Sequence, residues 1–143
     1  MNRDEFATCP IDSAALDPDP DDRKLSCSRC RGALVTEAEV ARVLAELLRH
    51  DEPKPLSFDK PIGSEPLRTC PRCLQAMTKH GLYGIQIDRC EDHGLWFDSE
   101  EMARVLNEAG MRVVKKERFR EGLKAAAITT VFIGAQLIQF LFA

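Results

Sequence analysis

The residues of this 143-residue chain that could do chemistry fall into two groups with matching intervals. Cys70 and Cys73 stand as C-P-R-C, and Cys90 and His93 repeat the same interval further along, inside "CEDHGLWFD". Nearer the start, Cys9 and Asp12 are followed by Cys27 and Cys30 in the same order, with one carboxylate where the later group has a thiol. A C-x-x-C turn sets both sulfurs on one side of the chain, at the separation that two ligands of one metal ion need. Two such pairs brought together make a closed set of four donors, which suits structural zinc; a catalytic site keeps a position open. Cys70, Cys73, Cys90 and His93 are therefore expected to hold one zinc ion. Cys9, Asp12, Cys27 and Cys30 are expected to hold a second through the Asp12 carboxylate. The competing readings there are a decayed site, or an Asp12 that only accepts hydrogen bonds from the turn amides. Two zinc ions are expected, and one at minimum.

Other uses of these residues fit less well. Nothing at the start of the chain reads as an export signal, since "MNRDEFATCPID" is polar and acidic, so disulfides are not the expected use of the thiols. A redox C-x-x-C belongs at a helix start in a βαβ setting, and no such pattern is present. His50 and His80 stand apart from any nucleophile, and no glycine-rich phosphate loop occurs. An enzyme is not expected.

The elements that must position these donors also repeat. Cys27 and Cys30 align with Cys90 and His93, Thr36 with Asp98, Val40 with Met102, and the "ARVL" of 41–44 recurs at 103–106. One module is used twice. Each copy ends in a helix. Thr36 and Glu39 form a capping box, ahead of a stripe of Val40, Val43, Leu44, Leu47 and Leu48. Asp98 and Glu101 take the matching places ahead of Met102, Val105, Leu106 and Ala109, and Gly110 is a natural stop. Two such stripes could pack together. "YGIQIDRC" alternates like a strand and, with "AMTKHG" before it, reads as a hairpin turning near His80–Gly84. The first copy places "LDPDPDDRKLSC" there. Between the copies, residues 51–68 are proline-rich and read as a semi-extended linker.

The stretch from Cys70 to Met102 resembles the small bacterial zinc-ribbon family named after transcription factor II B. The shared features are C-P-x-C, a strand ending in D-x-C, and C-x-x-C/H-G-x-W-x-D before an acidic helix start. The first copy is a degenerate relative, with Leu34 for the tryptophan and Asp12 for a cysteine. The resemblance implies a zinc-ribbon fold and little about activity. Trp96 and Phe97 are expected to cover the sulfurs and pin the helix, and Asp88 and Asp98 to cap or brace the knuckles.

Charge is unevenly spread. Residues 1–110 carry 14 Lys/Arg against 21 Asp/Glu, a net −7, while residues 111–124 carry six against two, a net +4. An acidic body argues against binding nucleic acid, although Arg29, Arg31, Arg72 and Lys79 lie near the knuckles. Residues 125–143 contain 19 uncharged positions, about 28 Å as a helix, close to the hydrocarbon thickness of a bilayer. With the basic band beside them, they read as a C-terminal transmembrane helix that keeps both modules in the cytoplasm. Thr129, Gln136 and Gln139 on one face could pair across a helix dimer, making a homo-oligomer through the tail; the helix could instead lie on the surface or pack on a partner.

The expected organisation is a small α+β protein of tandem zinc ribbons, each a β-hairpin plus a short helix. It comprises a degenerate ribbon at 1–50, a linker at 51–68, a ribbon at 69–110, a basic juxtamembrane segment at 111–124 and the membrane helix. The expected function is an interaction module at the cell membrane, with structural zinc and an unidentified protein partner. The alternatives are a nucleic-acid-binding or transcription-associated ribbon, and a zinc or redox sensor working through the weaker first site.

Overall fold

Six short strands join edge to edge into one antiparallel sheet in the order β1-β2-β3-β6-β5-β4, which reads as the same three-strand unit met from either end. The computed structural model describes residues 7–61 and 66–121. In chain order the strands are β1 (Asp17–Pro18), β2 (Lys24–Ser26), β3 (Ala33–Val35), β4 (Thr78–Leu82), β5 (Ile85–Cys90) and β6 (Gly94–Phe97). The helix α1 (Glu37–Leu47) follows β3, and α2 (Glu101–Glu121) follows β6.

The hairpins are set by their turns. Tyr83 and Gly84 both have positive φ, 50° and 78°, as a tight two-residue β4–β5 connection demands. In the β1–β2 hairpin the Asp19 carboxylate takes over, accepting from the amides of Arg23 at 2.6 Å and Lys24 at 3.2 Å. Its aspartates are turn chemistry.

β3 and β6 lie at the centre, and all seven of their residues are buried. Their register pairs Ala33 with Phe97, Leu34 with Trp96 and Val35 with Leu95. Because successive side chains alternate faces, this pairing splits the apolar residues between two cores. Ala33, Val35, Leu95 and Phe97 face the helices and pack with Val40, Val43, Leu44, Leu47, Met102, Val105, Leu106 and Ala109. Leu34 and Trp96 face the other way, into a core that contains the cysteines. The two helix stripes thus meet in one layer over the sheet.

Both helix starts are capped, each by half of a capping box. Thr36 Oγ1 accepts from the Glu39 amide at 3.2 Å, while the Glu39 carboxylate turns to Arg42. At α2 the other half forms: the Glu101 carboxylate accepts from the Asp98 amide at 2.9 Å, leaving the Asp98 side chain for other partners. α2 does not stop at Gly110. A glycine interior to a helix costs only about 1 kcal/mol, and burial of Val114 continues the apolar stripe past it. Part of the segment between the two halves, residues 56–59, lies along the body. Asp59 bridges to Gly81 on the edge of β4, and Leu56 and Phe58 pack on the helix-side core.

Two expectations are corrected. Separate tandem ribbons do not form: β3 and β6 pair, so the halves share one sheet and one helical layer. A membrane span is not found either. Among the described residues no helix is long and apolar enough to cross a membrane. α2 takes in most of the basic segment, and ten of its 21 residues are charged, each costly in hydrocarbon. Residues 125–143, on which the transmembrane helix and the dimer through the tail rested, lie outside the described residues. The expected membrane location is accordingly not upheld.

Gly94 shows how closely the halves meet. Its φ is +118°, and a Cβ there would run into the carbonyl of Val35 and come within 2.9 Å of the Thr36 Cα. Gly94→Ala is expected to destabilise the protein by about 3 kcal/mol or more, read from the denaturant midpoint. A change below about 0.5 kcal/mol, the range of an ordinary surface substitution, would contradict this packing.

Candidate metal centres

Three of the four knuckle turns share one hydrogen-bond pattern. Cys9, Cys27 and Cys70 each donate their amide to the carbonyl five residues on, at 2.7, 2.9 and 2.8 Å to Ala14, Gly32 and Gln75. In each, the amide four residues on returns to the cysteine carbonyl, from Ser13, Arg31 and Leu74 at 3.0, 3.0 and 2.9 Å. Closing so small a loop forces those three residues to left-handed φ values of 61°, 65° and 61°. The turn also aims amides at sulfur: Ile11 donates to Cys9 Sγ at 3.4 Å, Cys30 to Cys27 Sγ at 3.5 Å and Gly32 to Cys30 Sγ at 3.3 Å. Such donors stabilise a thiolate. The fourth turn differs. The His93 amide reaches back to the Cys90 carbonyl at 3.3 Å, and Gly94 provides the positive φ that follows.

These turns bring both predicted groups together. One donor atom from each of Cys70, Cys73, Cys90 and His93 lies within 4.8 Å of the others, and the same holds for Cys9, Asp12, Cys27 and Cys30. A tetrahedron with zinc–sulfur bonds near 2.3 Å and a zinc–nitrogen bond near 2.0 Å has edges of about 3.8 Å between sulfurs and about 3.5 Å from sulfur to nitrogen or oxygen. In the second group, Cys73 Sγ is 3.7 Å from Cys90 Sγ, and His93 Nδ1 is 3.7 Å from Cys70 Sγ and 3.5 Å from Cys90 Sγ. In the first, Cys9 and Cys30 Sγ are 3.5 Å apart, and the Asp12 oxygens lie 3.5 and 3.6 Å from Cys27 Sγ. All six cysteines are free thiols, and these separations are far from a disulfide bond length. The donors fit zinc in both places.

Their protonation fits as well. Burial pushes the Cys9 and Cys70 thiols up to about 12, so without a cation they hold their protons and metal must displace them. Cys73 goes the other way, lowered first by the backbone amide of Gln75. Asp12 is lowered, chiefly by the Ala14 amide, which donates to Oδ1 at 2.9 Å. It therefore combines two of the roles open to it from sequence: it accepts from the turn and still faces the sulfur of Cys27.

The aromatic and acidic residues expected around the knuckles hold the second group in place. Trp96 is fully buried among Cys9, Cys27, Cys70 and Cys90, and its Nε1 donates to Asp98 Oδ1 at 3.0 Å. Asp98 Oδ1 also accepts from Arg68 at 2.7 Å, and Arg68 reaches the buried Asp88 at 3.4 Å. Lys79 completes the pairing of Asp88 at 3.1 Å. Arg68 was not singled out from sequence, although its place two residues before Cys70 is the signal that it could tie the first knuckle to the strand below. Arg72, considered above as a nucleic-acid contact, pairs with Asp22 at 2.6 Å, so it and Lys79 are already neutralised. His50 and His80 lie away from both groups: His50 lines a hollow with Leu44, Leu48 and Tyr83, and the His80 ring meets Phe58 at a tilt, with centroids 5.6 Å apart.

Comparison with known families matches residues 69–108 to the transcription factor zinc-finger family. That segment is a zinc ribbon of the kind named after transcription factor II B, as its motifs implied. Searches of curated proteins and of solved structures give no match.

Glu101 offers a pH test of the framework. Burial raises its carboxyl above the ordinary 4.5, against the pull of the Asp98 amide. The folded chain thus binds this proton more tightly than the unfolded one, and stability falls as pH rises from 4.5 through the raised value. Glu101→Gln, which can still accept from the Asp98 amide, is expected to melt higher than wild type at pH 7. That advantage should shrink as the pH falls towards 4.5 and the Glu101 carboxyl takes up its proton. A variant that melts lower at pH 7 would contradict the assignment.

Proposed function

We propose that this chain is a two-zinc structural module whose surface binds a protein partner. Residues 69–108, being a transcription factor zinc-finger segment, supply one metal site through Cys70, Cys73, Cys90 and His93. Cys9, Asp12, Cys27 and Cys30 supply the other. The observation that carries the reading is closure. Each set offers four donors, one from each residue, all within 4.8 Å of one another, which leaves no position for substrate. A metal so enclosed holds a fold. Zinc-ribbon domains are typically non-catalytic, and the thiols that His93 approaches, Cys70 and Cys90, belong to the same closed donor set.

The partner surface is read from what stays outside. Ile11 and Leu74 project from the two knuckle turns with 47% and 70% of their surface exposed, and Leu67 is 52% exposed beside a shallow depression lined by Pro10, Pro66 and Arg68. Apolar side chains on rigid turns cost little entropy to bury, which favours protein contact. The net −7 of residues 1–110 and the pairing of Arg72 and Lys79 count against a nucleic-acid backbone.

Affinity capture with the zinc-loaded full chain, compared with Leu74→Glu and Leu67→Glu, tests this. A partner held by wild type should be lost with the charged variants, whose zinc content is unchanged. The same partners retained on all three would contradict the surface. Retention on DNA or RNA that weakens steeply with salt would favour the nucleic-acid reading instead.

A further inference from the structure

Cys30 and His93 stand 63 residues apart at matching places in the two sites, with Gly32 and Gly94 close beside them, yet neither loop stands alone. Gly32 closes the first site's turn: its carbonyl accepts from the Cys27 amide at 2.9 Å and its own amide points at Cys30 Sγ at 3.3 Å. A Cβ added to Gly32 would lie 2.5 Å from Cζ2 of Trp96, so the indole occupies the space that a side chain would need. The ring leans on the backbone that orients two donors of the first site. The same edge carries the tie to the second, because Nε1 is bonded to Cε2, which also lies against Gly32. Trp96 follows His93 on β6, pairs across to Asp88, and is tied through Asp98 and Arg68 to the segment that enters Cys70. The dependence is mutual, since Gly94, beside His93, is pressed against the carbonyl of Val35 at the end of β3.

We infer that zinc binding at the two sites is positively coupled, with Trp96 as the positioning residue that links them. The inference rests on the zinc-binding reading above. Metal at one site fixes its turn. A fixed Gly32 turn holds the indole where Asp98 and β6 need it, and a fixed His93 turn holds the indole against Gly32. Whichever ion binds first meets part of the ordering cost of the second, so the second binds more tightly. Leu34, opposite Trp96 in the register, and the cysteines of both sites complete one buried cluster through which this ordering passes.

The test uses the full chain and zinc alone, with affinities read by competition against a chromophoric chelator. Cys90→Ser is expected to weaken zinc at the first site by about tenfold, within the usual range for coupled sites. Cys27→Ser should weaken the second site by the same factor, because coupling is reciprocal. Gly32→Ala alters no donor, yet should lower affinity at both sites. Trp96 is the only tryptophan, so zinc filling the first site of the Cys90→Ser chain should change its emission, a signal that a purely local site would not give. An intact-site affinity unchanged to within about twofold in these variants, with two ions bound by wild type, would overturn the coupling and leave the zinc reading intact. A wild-type chain that binds no zinc would overturn both. If Cys90→Ser fails to fold, Gly32→Ala decides: an unaffected second site there overturns the coupling.

Discussion

Leu34 stands opposite Trp96, and the rest of the structure depends on that register. It joins β3 to β6, makes one sheet of two three-strand units, and fixes which side chains face the helices and which face the cysteines. A slip of one residue would send Trp96 to the helix side and Phe97 to the metal side, leaving each core with the wrong shape. Gly32 and Gly94 are the steric condition for it. Only residues without Cβ let the two halves approach each other so closely at these points.

Metal and packing then act on the same sheet from its two sides. Apart from zinc, the sulfur side of the sheet has few large apolar residues: Leu16, Leu25, Leu34, Met77 and Trp96 are the main ones. A structural zinc ion contributes on the order of 10 kcal/mol of folding free energy, as much as the whole net stability of a typical small domain. The helix side, with aliphatic stripes from both helices, resembles an ordinary core. Trp96 faces the sulfurs while its neighbours Leu95 and Phe97 face the helices, so β6 takes part in both.

Much of this was legible in the sequence, because the informative residues are local. Four donor pairs at matching intervals announce knuckles whatever lies between them, and the ARVL repeat with its caps announces matching helices. What could not be read was how the copies meet. "ALV" and "GLWF" are short apolar runs with no internal period, and nothing in them says that their partner is the other copy. The same limit explains Gly110. A glycine reads as a stop, but burial of Val114 beyond it carries the helix on. The membrane reading came from composition outside the described residues, beside a charged helix that does not support it. The Asp98 carboxylate, expected either to cap or to brace, is found bracing Trp96 and Arg68, and helix-start rules do not reveal those partners.

Asp12 is where sequence and geometry ask most of each other, since a carboxylate replaces the thiol found in the matching position and yet lies as close to Cys27 as a ligand should. The most direct measurement is therefore the zinc content of the purified full chain, by elemental analysis, for wild type and Asp12→Ala. The account predicts two ions per chain in wild type and about one in the variant, since three thiols without a fourth donor leave the first site open. One ion in both chains would contradict it, confining metal to Cys70, Cys73, Cys90 and His93 and leaving the first group to packing alone.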